Sequence, residues 1–530
     1  MLFTSFGFIL FLAILFPLYY LVPKRFQWML LLVASYIFYA FAGWGCLIFI
    51  AVTTVTCWYA ALRMDRLQKR QSSYLKARKE ALTSEDKKAY KARVKKKKLG
   101  WFLATLLLNF GILAVLKYTN FAIVNINAIS ALFGGGQLQL VDLLLPMGIS
   151  FYTFQTIGYV IDVYRGKYPP QESLPRFALF VSFFPQLVQG PISRYDDLAP
   201  HLLGEHPFDR RTVSFGLQRV LWGYFKKMVV ADRLLTAVTA IIGAPETYDG
   251  IFVLIGMFLY ALELYADFTG GIDITIGIAN TLGVPVKENF IRPYFSKNIE
   301  EYWRRWHITM GTWFRDYIFY PVSVSKPMLA ISKKSRALMG PELGKRVPVY
   351  LATLITWFAT GIWHGASWNF IVWGLLNGVV IIISQECAPL YQRFHERFPK
   401  VGATFGWRLF QVVRTFWLMS ALRSLDCYRD VPLTFSMVGT IFTRFSLTPL
   451  WDGSLLELGL GVGDWVVAGL GCLLMLGVSL RQRRGSVREQ LERAPAAARY
   501  AVAFSLTFAV LVFGAYGVGY DASQFIYNQF

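Results

Sequence analysis

The stretch Lys95-Lys96-Lys97-Lys98-Leu99-Gly100-Trp101-Phe102-Leu103-Ala104-Thr105-Leu106-Leu107-Leu108-Asn109-Phe110-Gly111-Ile112-Leu113-Ala114-Val115-Leu116 sets four ammonium groups directly against a long uncharged apolar run. A helix needs about 20 apolar residues to cross roughly 30 Å of hydrocarbon, and the run that starts at Trp101 has that length. Basic residues at one end of such a run hold that end on the cytoplasmic side, where they also meet anionic headgroups. Followed toward the N-terminus, the basic segment begins at Arg63. Between Arg63 and Lys98 stand 15 Lys/Arg and 4 Asp/Glu, a net of +11 out of +22 for the chain. A second apolar run, 28–60, lies on its other side. Residues 63–98 therefore read as a basic cytoplasmic loop between membrane helices.

Composition agrees. Of 530 residues, 55% are hydrophobic, 17% aromatic and only 16% charged, with a mean hydropathy of +0.43. Soluble domains carry about 25% charged residues, so this chain is built for lipid, and disordered and collagen-like classes are excluded. The positive charge is gathered in loops between apolar runs, which argues for a membrane surface and against nucleic acid. The five cysteines, Cys46, Cys57, Cys387, Cys427 and Cys472, lie in or beside apolar stretches with no CxxC spacing, so neither a disulfide framework nor a metal site is expected. Residues 1–22 lack a basic start and a small-residue cleavage site, and read as a retained first span.

Further apolar runs occur at 5–22, 146–164, 175–193, 213–231, 250–282, 348–363, 367–385, 407–424, 460–480 and 498–519. They predict an all-α polytopic membrane protein with about eleven transmembrane helices. Residues 28–60 are too long for one helix, while 146–193 and 260–300 are interrupted by Gly, Pro and charge, so re-entrant or broken helices are expected there. Basic loops at Lys326–Arg346, Arg393–Arg408 and Arg481–Arg499 are further candidates for the cytoplasmic side. No repeat of 20 to 50 residues is visible, so one integrated domain over 1–530 is the simplest organisation.

Four places put polar groups where lipid-facing segments do not carry them. His364 stands in Gly361-Ile362-Trp363-His364-Gly365-Ala366-Ser367, with small neighbours that leave room for a substrate. A neutral histidine there is able to take a proton from a hydroxyl, although a packed, hydrogen-bonded histidine is the plainer reading. The stretch Glu301-Tyr302-Trp303-Arg304-Arg305-Trp306-His307 through Tyr317 reads as one amphipathic helix, with Trp303, Trp306, Met310, Trp313 and Tyr317 on the side of His307. Either an interfacial helix with snorkelling arginines or a cavity wall fits it. Glu263 and Asp267 lie one helical turn apart before Gly270-Gly271, which reads as a break held by ion pairs to Arg292, Arg304 or Arg305. Finally, Pro185-Gln186-Leu187-Val188-Gln189-Gly190-Pro191-Ile192-Ser193-Arg194-Tyr195 reads as a re-entrant turn or cavity wall.

Taken together these stretches resemble the membrane-bound O-acyltransferases, in the bacterial branch of alginate O-acetyltransferases (AlgI type) and teichoic-acid D-alanyl transferases. The resemblance runs almost end to end. It is carried by Met1-Leu2-Phe3-Thr4-Ser5, Pro146-Met147-Gly148-Ile149-Ser150-Phe151-Tyr152, Tyr159-Val160-Ile161-Asp162-Val163-Tyr164-Arg165, Gln189 to Tyr195, Asp267-Phe268-Thr269-Gly270 and Glu288-Asn289-Phe290-Ile291-Arg292-Pro293-Tyr294. Tyr302 to His307, Trp363-His364-Gly365-Ala366 and the tail Phe525-Ile526-Tyr527-Asn528-Gln529-Phe530 continue it. Trp417-Leu418-Met419-Ser420-Ala421-Leu422-Arg423-Ser424 departs from the Phe-Arg-Ala pattern usual in the acetylating members.

The resemblance implies helices around a central tunnel and the transfer of an acyl group, acetyl above all, from a thioester to a hydroxyl. The family's catalytic histidines fall on His364 and His307, with Trp363, Trp306, Asn289, Asp267, Arg304, Arg305, Gln189 and Arg194 as substrate-binding or supporting residues. No cofactor is held permanently. The donor is acetyl-CoA or an acyl-carrier thioester, and the setting is the cytoplasmic membrane of a bacterium. The implied partners are the lipid bilayer, an extracytoplasmic SGNH-type serine acetyltransferase and a polysaccharide acceptor. The rival reading from the residues alone is a transporter of polysaccharide or lipid-linked sugar, whose permeation path would use the same intramembrane polar groups.

Overall fold

The computed structural model describes residues 3–516, all of them in helices and connecting loops, with no strand among the described residues. Met1-Leu2 and the Phe525 to Phe530 tail lie outside the described residues. Among the described residues, six helices are long and apolar enough to cross a membrane: Cys46–Ala77, Ser84–Leu132, Ile251–Thr281, Trp368–Arg397, Val462–Arg484 and Ala496–Phe513. The chain is a multi-pass membrane protein. Phe6–Leu21 and Val431–Thr443 are apolar but shorter. Other apolar runs are divided, as their Gly and Pro content suggests. Residues 28–60 fall into Gln27–Ala40 and Cys46–Ala77, and 146–193 into Ile149–Arg165, Leu174–Ser182 and Phe184–Leu187.

The basic segment 63–98 is mostly helical. The Cys46–Ala77 helix runs out into it, and the Ser84–Leu132 helix begins within it. That second start is a capping box: the Asp86 N–H donates to Thr83 Oγ1 at 3.1 Å, and the Thr83 N–H donates to the Asp86 carboxylate at 3.2 Å. Lys98 Nζ donates across the hairpin to Gln68 Oε1 at 3.0 Å.

The chain divides into two compact units, one of residues up to Val213 with Ala279–Val286, the other of Ser214–Ile278 with the chain from Lys287 onward. In the first, Phe8, Phe38 and Phe184 form a buried ring cluster with centroids 5.6 to 6.5 Å apart. Here Gly148 takes φ +72°, and a Cβ on it would lie 2.1 Å from the Leu187 carbonyl oxygen. Only a residue without a side chain starts the Ile149–Arg165 helix that close to Leu187.

The second unit holds the Ile251–Thr281 helix as far as Ile278; 72% of that helix's apolar window is buried, whereas none of the Ala496–Phe513 window is. Two expectations are corrected here. Gly270-Gly271 do not break the helix, which runs on to Thr281. Gly270 instead allows contact: a Cβ on it would lie 3.0 Å from the Gly223 carbonyl, and one on Gly223 2.6 Å from the Gly270 carbonyl. Conversely, 301–317 is not one helix. Ile299–Arg305 ends, His307 takes φ +48°, and Ile308–Phe314 starts anew. Pairing with a distant segment replaces the helical bonds: the Ile291 N–H donates to the Arg305 carbonyl at 2.9 Å and the Ile308 N–H to the Asn289 carbonyl at 3.0 Å.

The Val347–His364 and Trp368–Glu386 helices pack through glycines. A Cβ on Gly361 would lie 2.4 Å from the Phe370 carbonyl oxygen, and one on Gly374 2.4 Å from that of Trp357. Both obstacles are backbone, so the helices must separate to admit a methyl. We therefore expect Gly361→Ala to cost about 1–3 kcal/mol, read as a lower unfolding temperature of the detergent-solubilised protein, while Gly406→Ala, which meets open space, leaves that temperature unchanged.

Candidate active site

His364 is the last residue of the Val347–His364 helix, and His307 sits in the break between two seven-residue helices. Both are buried, 7% and 1% exposed. The Trp363 ring packs against both, its centroid 4.9 Å from that of His364 and 5.8 Å from that of His307. Trp373 closes on His364 at 4.7 Å, and Phe268 on His307 at 5.0 Å. The structure thus brings the two histidines onto one aromatic wall, although 57 residues separate them in sequence.

The hydrogen bonds around Asn289 fix the His307 tautomer. Asn289 Oδ1 accepts the Thr309 N–H at 3.0 Å, and an amide nitrogen could not, so the side chain's orientation is determined. The Thr309 hydroxyl donates to the same oxygen at 3.0 Å, and His307 Nδ1 lies 3.3 Å from it. Nδ1 must then carry the proton, which leaves Nε2 as the lone-pair nitrogen of the ring. Burial, and next the charge of Arg423, push the His307 pKa down to about 3, so the ring is neutral at pH 7. Asn289 is wholly buried, and its amide NH₂ has no partner among the described residues.

The residue that sequence reasoning missed is Arg423. Its guanidinium is buried over three indoles, 5.6 Å from Trp303, 5.2 Å from Trp306 and 4.9 Å from Trp373, and is paired with Asp426 at 3.3 Å. Trp306 stacks on Tyr302 at 5.5 Å, and Trp303 donates its indole N–H to Asn377 Oδ1 at 3.1 Å. Arg423 falls within the stretch that departs from the family pattern, and its aromatic partners lie 50 or more residues upstream. An ionisable residue inside an apolar run was the available signal.

The other expected residues are placed differently. Asp267 pairs with Lys227, which also holds Asp232 at 2.8 Å, so the cation comes from the π-helical turn Phe225–Ala231 and not from Arg292, Arg304 or Arg305. Arg304 is exposed and reaches Glu300 at 3.6 Å, while Arg305 holds Glu301 at 2.6 Å. Beyond the break, Arg315 pairs with its neighbour Asp316 at 2.8 Å. Gln189 and Arg194 belong to the first unit. There Gln189 is fully buried with its amide unpaired among the described residues, and Arg194 lies 3.9 Å from Asp162.

Comparison with known proteins gives this geometry a context. Residues 171–424 match the description of the membrane-bound O-acyltransferase family, MBOAT. The chain is 32% identical to the probable alginate O-acetylase AlgI of Azotobacter vinelandii over 423 residues, 79% of this chain and 74% of that protein. It is 31% identical to the peptidoglycan O-acetyltransferase of Helicobacter pylori, over 62% of each chain. With the teichoic acid D-alanyltransferase of Bacillus subtilis it shares 25% identity, over 52% of this chain and 67% of the other.

The His307 environment generates a pH prediction. A histidine in the unfolded chain takes up its proton near pH 6.5, whereas folded His307 stays neutral to about 3. Below pH 6.5 the unfolded state therefore binds the extra proton, and stability falls as pH falls, by up to about 1.4 kcal/mol per pH unit. Between pH 7.5 and 5 wild type should lose more stability than His307→Gln, measured by denaturation midpoints in matched detergent.

Proposed function

This chain belongs to the membrane-bound O-acyltransferase family, and we propose that it takes an acetyl group from a cytoplasmic thioester and passes it across the bilayer for O-acetylation of an exported polysaccharide such as alginate. The observation that carries this reading is the pair of buried histidines, His307 and His364, both packed against the Trp363 ring. Names of relatives that act on alginate and on peptidoglycan support a glycan as the final acceptor. The basic segments, above all 63–98, support a cytoplasmic membrane orientation with the donor on the basic side.

In the proposed reaction an acceptor hydroxyl oxygen attacks the thioester carbonyl carbon. The C–O bond forms, the C–S bond breaks, and the electron pair leaves with sulfur. His364 takes the hydroxyl proton and returns it to the departing thiolate, so the products are an ester and a free thiol. Neutral His307 and the spare Asn289 amide donors orient the donor side, and the buried Arg423 charge favours the negative charge that develops on the carbonyl oxygen. Trp363, Trp306 and Trp373 keep water, the competing acceptor, out of the cage. Asp267, Arg304 and Arg305 support this arrangement through their ion pairs. An extracytoplasmic SGNH-type serine acetyltransferase completes the transfer to the polymer.

The test is glycan chemistry in the native host. His364→Ala should lower ester-linked acetyl per unit of exported glycan by about 10²- to 10⁴-fold, with glycan yield and membrane protein level unchanged. Unchanged acetyl content would remove His364 from the reaction, and a fall in glycan yield with normal acetyl density would favour a transporter.

A further inference from the structure

In the first unit an open groove of about 560 Å³ runs between three helices, Gln27–Ala40, Cys46–Ala77 and Leu174–Ser182. Leu32, Val33 and Ile37 line it from the first, Leu47 and Val55 from the second, and Ala178 from the third. Its cause is the short third helix. Leu174–Ser182 packs on both of the others, and just beyond it the Phe184 N–H donates to Ser35 Oγ at 3.2 Å. A helix of nine residues covers about 14 Å, under half of a hydrocarbon core of about 30 Å. Wedged there, it holds the two longer helices apart, and the groove is what remains on the outer side, where Val33 and Ile37 are exposed.

Neighbouring residues fix the depth of this groove. Cys46–Ala77 runs out into the basic segment. Near its exit the Tyr59 and Trp101 rings lie 5.6 Å apart with the Arg63 guanidinium over both, the aromatic belt of the cytoplasmic interface. Val55 lies four residues, about 6 Å of helix, inside Tyr59. Gln27–Ala40 is joined to Cys46–Ala77 by the short connection 41–45 and packs against it, so its first turn lies at the level of that belt. Cations gather there. The Arg176 guanidinium lies 5.5 Å from the centroid of Trp28, one turn before Leu32, and Lys24 and Arg25 precede the same helix. None of the three forms an ion pair among the described residues. Glu172, four residues before Arg176, lies within electrostatic range of Lys69 and makes no ion pair with Arg176.

We propose that this groove is a binding site for one anionic phospholipid of the cytoplasmic leaflet, an acyl chain lying along Val33 and Ile37 and the phosphate meeting Arg176. Its size suits that ligand. The volume falls within the range of formed ligand sites, about 300–1,000 Å³, and Leu32 to Ala40 spans about 12 Å of helix, against a leaflet depth of about 15 Å. The Trp28 ring holds the guanidinium at the mouth through its flat face and leaves the N–H donors at its edge for phosphate oxygens. Charge selects the headgroup. A zwitterionic lipid would fill the groove equally well but would set its own cation against Arg176, Lys24 and Arg25, whereas the anionic lipids of the cytoplasmic leaflet complement all three. Bound there, the chain fills the space that the nine-residue helix leaves between its neighbours.

Native mass spectrometry of the full-length protein, released from detergent micelles after titration with phosphatidylglycerol or phosphatidylcholine, tests it by counting tightly held lipids. Wild type should hold a first phosphatidylglycerol about 5- to 100-fold more tightly than phosphatidylcholine. Arg176→Gln should cut that preference by about five-fold while phosphatidylcholine binding stays at the wild-type value, which also shows that the variant is folded. Ile37→Trp fills the groove and should lose the tightly held lipid of either kind, and Val33→Trp, one turn away, repeats the block. All three substituted side chains are exposed, so the fold does not depend on them. Equal affinity for the two lipids in wild type, or a preference unchanged by Arg176→Gln, overturns the headgroup assignment. A phosphatidylglycerol still held by both tryptophan variants, or a second protein copy held in place of lipid, overturns the groove as its site.

Discussion

The charge of Arg423 is buried among Trp303, Trp306 and Trp373 and answered by one carboxylate, Asp426. A lone buried charge is costly, and the cost is offset here by three indole faces together with the ion pair. Those partners come from the Ile299–Arg305 helix and the residue after it, from Trp368–Glu386, and from Phe405–Tyr428 itself. One guanidinium therefore fixes three helices at a common point. His364 packs against one of these indoles, Trp373, and burial, with the Arg423 charge as the next cause, keeps His307 neutral. Removing the charge would release the aromatic wall that holds both histidines.

The second constraint is the break at His307. A continuous helix would carry the His307 side chain around with the helical repeat and leave the Arg305 carbonyl and Ile308 N–H bonded within the helix. Instead the 289–291 segment takes both groups. The same segment supplies Asn289, which selects the His307 tautomer. Backbone pairing and imidazole orientation are consequences of one local arrangement.

The sequence alone carried the class of the protein and singled out the two histidines that pack against Trp363, because both rest on local signals: long apolar runs, a basic segment, and ionisable groups where lipid-facing residues are apolar. It did not carry what depends on distant partners. The spacing of Trp303, Trp306, Met310 and Trp313 continues helically through residue 307, so periodicity gave no sign that pairing with residues 289–291 would break the helix. Gly270-Gly271 are equally compatible with a break and with close approach, and only the facing Gly223 decides between them. Lys227, the partner of Asp267, comes from a π-helical turn whose register no sequence pattern marks. Arg423 is marked in the sequence only as an ionisable residue inside an apolar run, since a cation over indole faces leaves no spacing signature.

The central claim is that the planar, buried cation of Arg423 organises the two-histidine wall, and Arg423→Lys tests it most directly. Lysine keeps the charge opposite Asp426 but loses the flat face that covers the indoles. The measurement is the rate of acetyl transfer from thioester to hydroxyl, per folded molecule, for the purified variant against wild type. The account predicts a folded protein that loses most of its transfer rate, and a folded Arg423→Lys protein working at the wild-type rate would contradict it.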